Sequence, residues 1–247
     1  MVAMQKDILI ILALQMQQHN WKFTMQQFSD IYQQALERKG GEEQLSALMP
    51  TGIKTSAELS AISHDRYLAE MTRAIFKAGF IWKIIDHKWN GFEEAFWNFN
   101  IARCNMTSPD DLESLYQDTR IIRNSLKIDT VQKNAAMILA FSEQHGSFAK
   151  MIADWPDDDF ISLLALLHKN GSRLGSLTSQ YFLRFIGKDG FVLARDGVAA
   201  LIRAGIITSN PTSKRDLKLV QDAYNSWRDE SGLGNAHISR ILSLSIG

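Results

Sequence analysis

Apolar residues recur along this chain at intervals of three and four, the spacing that gathers them on one face of a helix, and nowhere form a sustained strand-like alternation. FSDIYQQALERKGG, from Phe28, carries such a stripe and stops at a glycine pair, a common helix terminator. SHDRYLAEMTRAIFKAGFIWKIIDHKW, from Ser63, keeps the spacing throughout, with Gly79 permitting close packing or a bend, and GFEEAFWNF continues it. SPDDLESLYQD opens on Ser108 followed by acids, a good N-cap, and DTVQKNAAMILAFSEQHGSF predicts a helix starting in the same way at Asp129. DDDFISLLALLHKN, SLTSQYFLRFIG, RDGVAALIRAGI and SKRDLKLVQDAYNSWRDESG complete the series. With no strand pattern and no internal repeat, the predicted fold class is all-α, with turns of the length found between packed helices.

One turn stands out. Between DFISLLALLHKN and TSQYFLRF the chain reads GSRLGSL, with Gly171 and Gly175 in a short connection. The first glycine fits a helix C-terminal cap with positive φ. The second, directly before a new helix, suits a backbone left bare so that N–H groups at the helix N-terminus can meet an anion such as phosphate. Lys169 and Arg173 would add charge beside it, and Ser176 and Thr178 would cap the helix or donate to phosphate. A plain interhelical turn fits the two glycines equally well.

Composition narrows the classes. The 247 residues are 45% hydrophobic with 4 prolines, enough for one large domain or two small lobes around a substantial core. Lys+Arg and Asp+Glu are both 27, so any basic surface must be local. The single cysteine, Cys104, excludes an internal disulfide and a cysteine-rich zinc site and fits a reducing cytoplasm. No GxxxxGK[ST] or GxGxxG occurs, and the His64-Asp65 pair has no accompanying histidine pattern. The opening ILIILALQM is too short to span a bilayer and lacks a following cleavage pattern, so residues 1–24 read as an extension outside a helical domain over 25–247.

The stretch LRFIGKDGFVLARDGVAALIRAG after the hairpin (about 160–187) resembles the helix–hairpin–helix DNA glycosylase superfamily, in which an aspartate at nearly this distance faces the extruded nucleotide. Here that residue is Asp196, which also fits a helix N-cap. Ala78-Gly79-Phe80-Ile81-Trp82, Ala95-Phe96 and Ile121-Ile122-Arg123-Asn124-Ser125-Leu126-Lys127-Ile128 are similar to ordered motifs of the type I 3-methyladenine DNA glycosylases. The resemblance runs from Phe28 to the C-terminus. It implies two helical lobes with a cleft between them, a monomer acting on double-stranded DNA with damaged bases, and no cofactor.

The same resemblance places a catalytic carboxylate at Asp196 and an aromatic wall for the flipped base at Trp82, with Phe76 and Trp89 as further candidates that fit core packing as well. The loop holding Ile122, Arg123 and Asn124 becomes the wedge or gap filler, and Arg120, Arg123 and Lys127 become phosphate contacts or a solvated basic turn. Ala74 occupies the position of the family's base-recognising glutamate, and the family's zinc ligands have no counterpart, which implies a zinc-free branch. Leu177 stands where strand-cutting relatives carry a lysine, so no Schiff base can form. The expected activity is release of an alkylated purine such as 3-methyladenine, leaving an abasic site. The alternative is a non-catalytic DNA-binding protein that has lost base recognition.

Overall fold

The computed structural model describes residues 25–247; the extension expected over 1–24 lies outside the described residues. Among the described residues the regular structure is helical, with no strand. The described residues divide into two compact units, one of residues 50–194 and 234–239, the other of residues 25–49 with 195–233 and 240–247.

The larger unit is built on the helix His64–Lys77. In chain order the helices are α1 (Phe28–Lys39), α2 (Glu42–Ser46), α3 (Ser56–Ser60), α4 (His64–Lys77), α5 (Trp82–His87), α6 (Trp89–Ala95), α7 (Ile101–Asn105) and α8 (Pro109–Gln117). There follow α9 (Ser125–His145), α10 (Phe148–Asp154), α11 (Phe160–Asn170), α12 (Ser176–Ile186), α13 (Arg195–Arg203), α14 (Lys214–Ser231) and α15 (Asn235–Leu244). Tyr67, Leu68, Met71 and Ile75 give α4 a buried stripe at helical spacing. Tyr67 meets Phe148 of α10 edge-on at 5.5 Å and Phe182 of α12 at 6.3 Å, so one aromatic residue ties three helices together. α8 begins as its sequence predicts, with a reciprocal Ser108/Asp111 capping box and Pro109 in the first turn.

The long run from Ser63 does not stay helical. It breaks at Ala78, in an extended conformation, and Gly79, at φ 78°, before α5 begins. The helix expected to open at Asp129 starts earlier, at Ser125, because the Asn124 side chain accepts the Lys127 N–H and caps it. Asp129 is left free to accept the Tyr116 hydroxyl at 2.5 Å.

In the other unit, α1 ends at Gly40 with φ 90°, as the glycine pair predicts. Its start is capped from a distance: the Glu230 carboxylate of α14 accepts the N–H groups of Phe28 and Ser29 at 2.8 and 2.9 Å. Trp227, fully buried, donates its indole N–H to Gln26 O. The Arg203 guanidinium, at the end of α13, holds Ser245 through its carbonyl and hydroxyl. No described helix is long and apolar enough to cross a membrane.

Candidate nucleic-acid interface and base-binding wall

α11 and α12 form the hairpin. Gly171 ends α11 by donating to Leu167 O at 2.8 Å, but its φ is −90°, so it is not the left-handed cap expected of it. A Cβ there would stand 2.4 Å from Leu174 Cδ1 and 2.8 Å from Leu167 O, and this close approach is what requires glycine. The left-handed residue is Arg173, at φ 57°, with its side chain exposed. Asn134 of α9 fixes the turn, accepting the Ser172 N–H at 2.7 Å and donating to Ser172 O at 3.1 Å.

Gly175 is the opposite case. Its φ of −65° suits any residue, and nothing lies within 4 Å of the place a Cβ would occupy. Open space therefore stands beside the start of α12. The first backbone bond of that helix runs from Ser179 N–H to Gly175 O, so the N–H groups of Ser176, Leu177 and Thr178 face out of the helix end. Lys169, in the last turn of α11, and Arg173, in the turn itself, are both exposed, whereas Thr178 is half-buried. A positive helix end, free donors and flanking cations suit a phosphate.

The helix that starts at this hairpin also packs against Trp82, the residue expected to face a flipped base. Trp82 is 40% exposed and stands edge-on to Tyr181 at 5.0 Å and Phe185 at 5.7 Å, both on α12. The Lys77 ammonium lies 5.0 Å from both the Trp82 and Phe185 rings, and Asp86 neutralises it at 2.8 Å. The wall is thus a π surface beside a closed ion pair. Tyr181, Phe185 and Lys77 were not foreseen, because contact between Trp82 and α12 is tertiary.

Two of the aromatic candidates are corrected. Phe76 is completely buried, edge-on to Phe92 at 4.7 Å, and has no surface to offer a base. Trp89 stacks on Phe92 and Phe99, is covered by the Arg73 guanidinium at 4.1 Å, and donates its indole N–H to Glu93. Both rings serve the core. Ala74 is buried, and its methyl can accept no hydrogen bond.

Lys127 is also corrected. Its ammonium is turned inward: it donates to the carbonyls of Ile75, Phe76 and Ala78 at 2.8, 3.3 and 2.5 Å, which caps the C-terminus of α4. Burial, with Arg173 nearby, pulls its pKa down to about 8, so it remains largely charged at neutral pH. Lys127→Met should therefore lower folding stability by about 2–3 kcal/mol, the scale for hydrogen bonds to a charged group, read as a shift in denaturant midpoint at constant slope. A change within experimental error would make the lysine dispensable to the fold.

The rest of the loop is accessible. Ile122 is half-buried and Arg123 exposed, while Asn124 is occupied as the α9 cap. Arg120 is held by Asp118 and Glu94. Asp196 is exposed in the first turn of α13, where a helix N-terminus favours a carboxylate. Cys104 is buried, its thiol pushed up to about 12 by desolvation, and no cluster of acidic, histidine or cysteine side chains among the described residues could hold a metal ion.

Residues 60–172, from the end of α3 through α11 into the hairpin, match the family model described as methyladenine glycosylase. Through this segment the chain is similar to the methyladenine glycosylases. The match covers Trp82, the Ile122–Asn124 loop and the first half of the hairpin, and stops before Asp196. Among solved structures, a 3-methyladenine DNA glycosylase I is 24% identical, with 56% of this chain and 81% of its own covered, at a TM-score of 0.44. The Staphylococcus aureus 3-methyladenine DNA glycosylase I is 20% identical over 57% and 79%, also at 0.44. The Methanocaldococcus jannaschii 8-oxoguanine glycosylase/lyase, solved with DNA, is 13% identical over 86% and 95%, at 0.48. No curated protein matches significantly in sequence.

Proposed function

We propose that the protein is a monofunctional DNA glycosylase that hydrolyses the N-glycosidic bond of a flipped alkylated purine such as 3-methyladenine and leaves an abasic site. The observation that carries this reading is the joint placement of phosphate grip and base wall on α12: the hairpin forms its N-terminus, and Tyr181 and Phe185 support Trp82 further along it. Tyr181 follows the first residue of α12 by five positions, about 7.5 Å at 1.5 Å per residue, so a gripped backbone and an extruded base fit on one rigid element.

The chemistry divides among the residues as follows. The hairpin amides with Arg173 and Lys169 hold the backbone without reading sequence. Trp82 presents a π face to the base, and an alkylated, cationic purine gains about 0.5–2 kcal/mol there over a neutral one. With Ala74 in place of a hydrogen-bonding side chain, selection rests on this charge and on the weakened bond of the alkylated base. Asp196 supplies the negative charge that stabilises the sugar cation or orients the attacking water. Arg123, with Ile122 behind it, fills the gap left by the flipped nucleotide.

Leu177 sets the outcome at the sugar. It is 43% exposed at the start of α12 and carries no amine. Borohydride added during turnover should trap no covalent protein–DNA adduct, and the strand should break only after alkali; a trapped adduct would exclude the monofunctional reading.

A further inference from the structure

The aromatic surface at Trp82 has a carboxylate beside it. Trp82 and Asp86 lie four residues apart on α5, so both project from one face of that short helix. The Asp86 side chain is 52% exposed and holds Oδ1 2.8 Å from the Lys77 ammonium, which itself lies 5.0 Å from the Trp82 ring. Lys77 leaves α4 three residues after Ala74, as its neighbour on the helix surface. The two partners of the ion pair are unequal. The Lys77 side chain is only 10% exposed and needs a counter-charge, and Asp86 supplies it through one oxygen. Among the described residues Oδ2 has no hydrogen-bond partner. The lysine therefore fixes a carboxylate at the side of the ring and leaves half of its accepting capacity open. Without that carboxylate a cationic base on Trp82 would meet the Lys77 charge uncompensated.

We propose that Asp86 is the specificity-determining carboxylate for the extruded base: Oδ2 accepts an N–H from the purine edge, and the negative charge favours a purine that carries a positive charge over a neutral one. This deepens the DNA glycosylase reading and rests on it for its ligand. The carboxylate comes from α5 because Ala74 leaves no acceptor on α4. Lys77 positions Asp86 and does not touch the base. The role falls at capture, before the glycosidic bond breaks, so it shows first as affinity. A hydrogen bond to a charged group changes affinity by about 10–100-fold.

The test titrates the full chain with 1-methyladenosine, whose purine is cationic at neutral pH, and with adenosine, which is neutral, following binding by ligand-observed NMR. Wild type should bind the cation about tenfold or more tightly than adenosine. Asp86→Asn keeps the size and leaves Lys77 an acceptor but removes the charge, and should bring the two affinities within about twofold of each other. Asp86→Glu restores the charge and should restore the preference. Thermal midpoints are measured alongside, and Asp86 is exposed enough that neither variant should shift them. On methylated DNA with protein in excess, Asp86→Asn should release 3-methyladenine about tenfold more slowly, because a smaller fraction of the base is held extruded. A wild type with equal affinity for the two nucleosides, or with none for either, overturns the proposal. So does an Asp86→Asn loss of the same size on both, which is what a carboxylate serving only to hold Lys77 would give, or a folded Asp86→Glu without the preference. The nucleoside arm needs no chemistry, so a wild type that prefers the cation through Asp86 yet releases no base would sink the glycosylase reading and keep the carboxylate's role. Base release with an Asp86→Asn preference equal to wild type would do the reverse.

Discussion

Asp196→Asn is expected to slow base release by about 10²–10³-fold, the loss typical when one preorganised electrostatic group is removed from a developing charge. Asparagine keeps the size of aspartate and suits the first turn of a helix, where Asp196 lies exposed on α13, so the fold should not change. What disappears is one negative charge. The loss should be smaller for a cationic alkylated purine than for a neutral lesion, since a leaving group that already carries positive charge needs less help. Single-turnover release by wild type and variant on both lesions, with thermal midpoints, reads all of this. Unchanged rates in a folded variant would reduce Asp196 to a helix-end carboxylate.

The second large effect is on binding. Gly175→Leu should weaken duplex affinity about 10–100-fold, and to the same degree on every sequence, because charge-assisted bonds of about 1.5–3 kcal/mol each to phosphate carry no base information. The structure makes this substitution unusually clean. Backbone φ at Gly175 suits leucine and nothing surrounds the new Cβ, so the added side chain fills only the space in front of the α12 amides. The reverse holds at Gly171, where any side chain collides with Leu174 and would disturb the hairpin itself. Titration of several unrelated duplexes separates the possibilities. A loss confined to one sequence, or no loss, would remove the hairpin from the interface.

Much of this was legible in the sequence because it is local. The Ser108 cap, the glycine stop after Lys39 and the helix–turn–helix around Gly171 and Gly175 are written within a few residues of where they act. Trp82 could be singled out for its motif, and it is half exposed in the structure. What failed to show depends on partners far along the chain. Lys127 looks like a surface cation until the open carbonyls at the end of α4, about fifty residues earlier, are seen to surround it. Phe76 and Trp89 share the helical spacing of accessible aromatics, and only the packing of Phe92 and Phe99 buries them. The helix register around Asp129 was misplaced because Asp and Asn both cap well, and Asn124 does so in fact.

The central claim is tested most directly by incubating the full chain with DNA treated with a methylating agent and resolving the released bases by identity. Time-dependent release of 3-methyladenine or another alkylated purine, with abasic sites accumulating in equal number and the strand intact until alkali, is the predicted result. Tight duplex binding through the hairpin with no base released from any lesion would contradict it and leave the protein a non-catalytic DNA-binding protein.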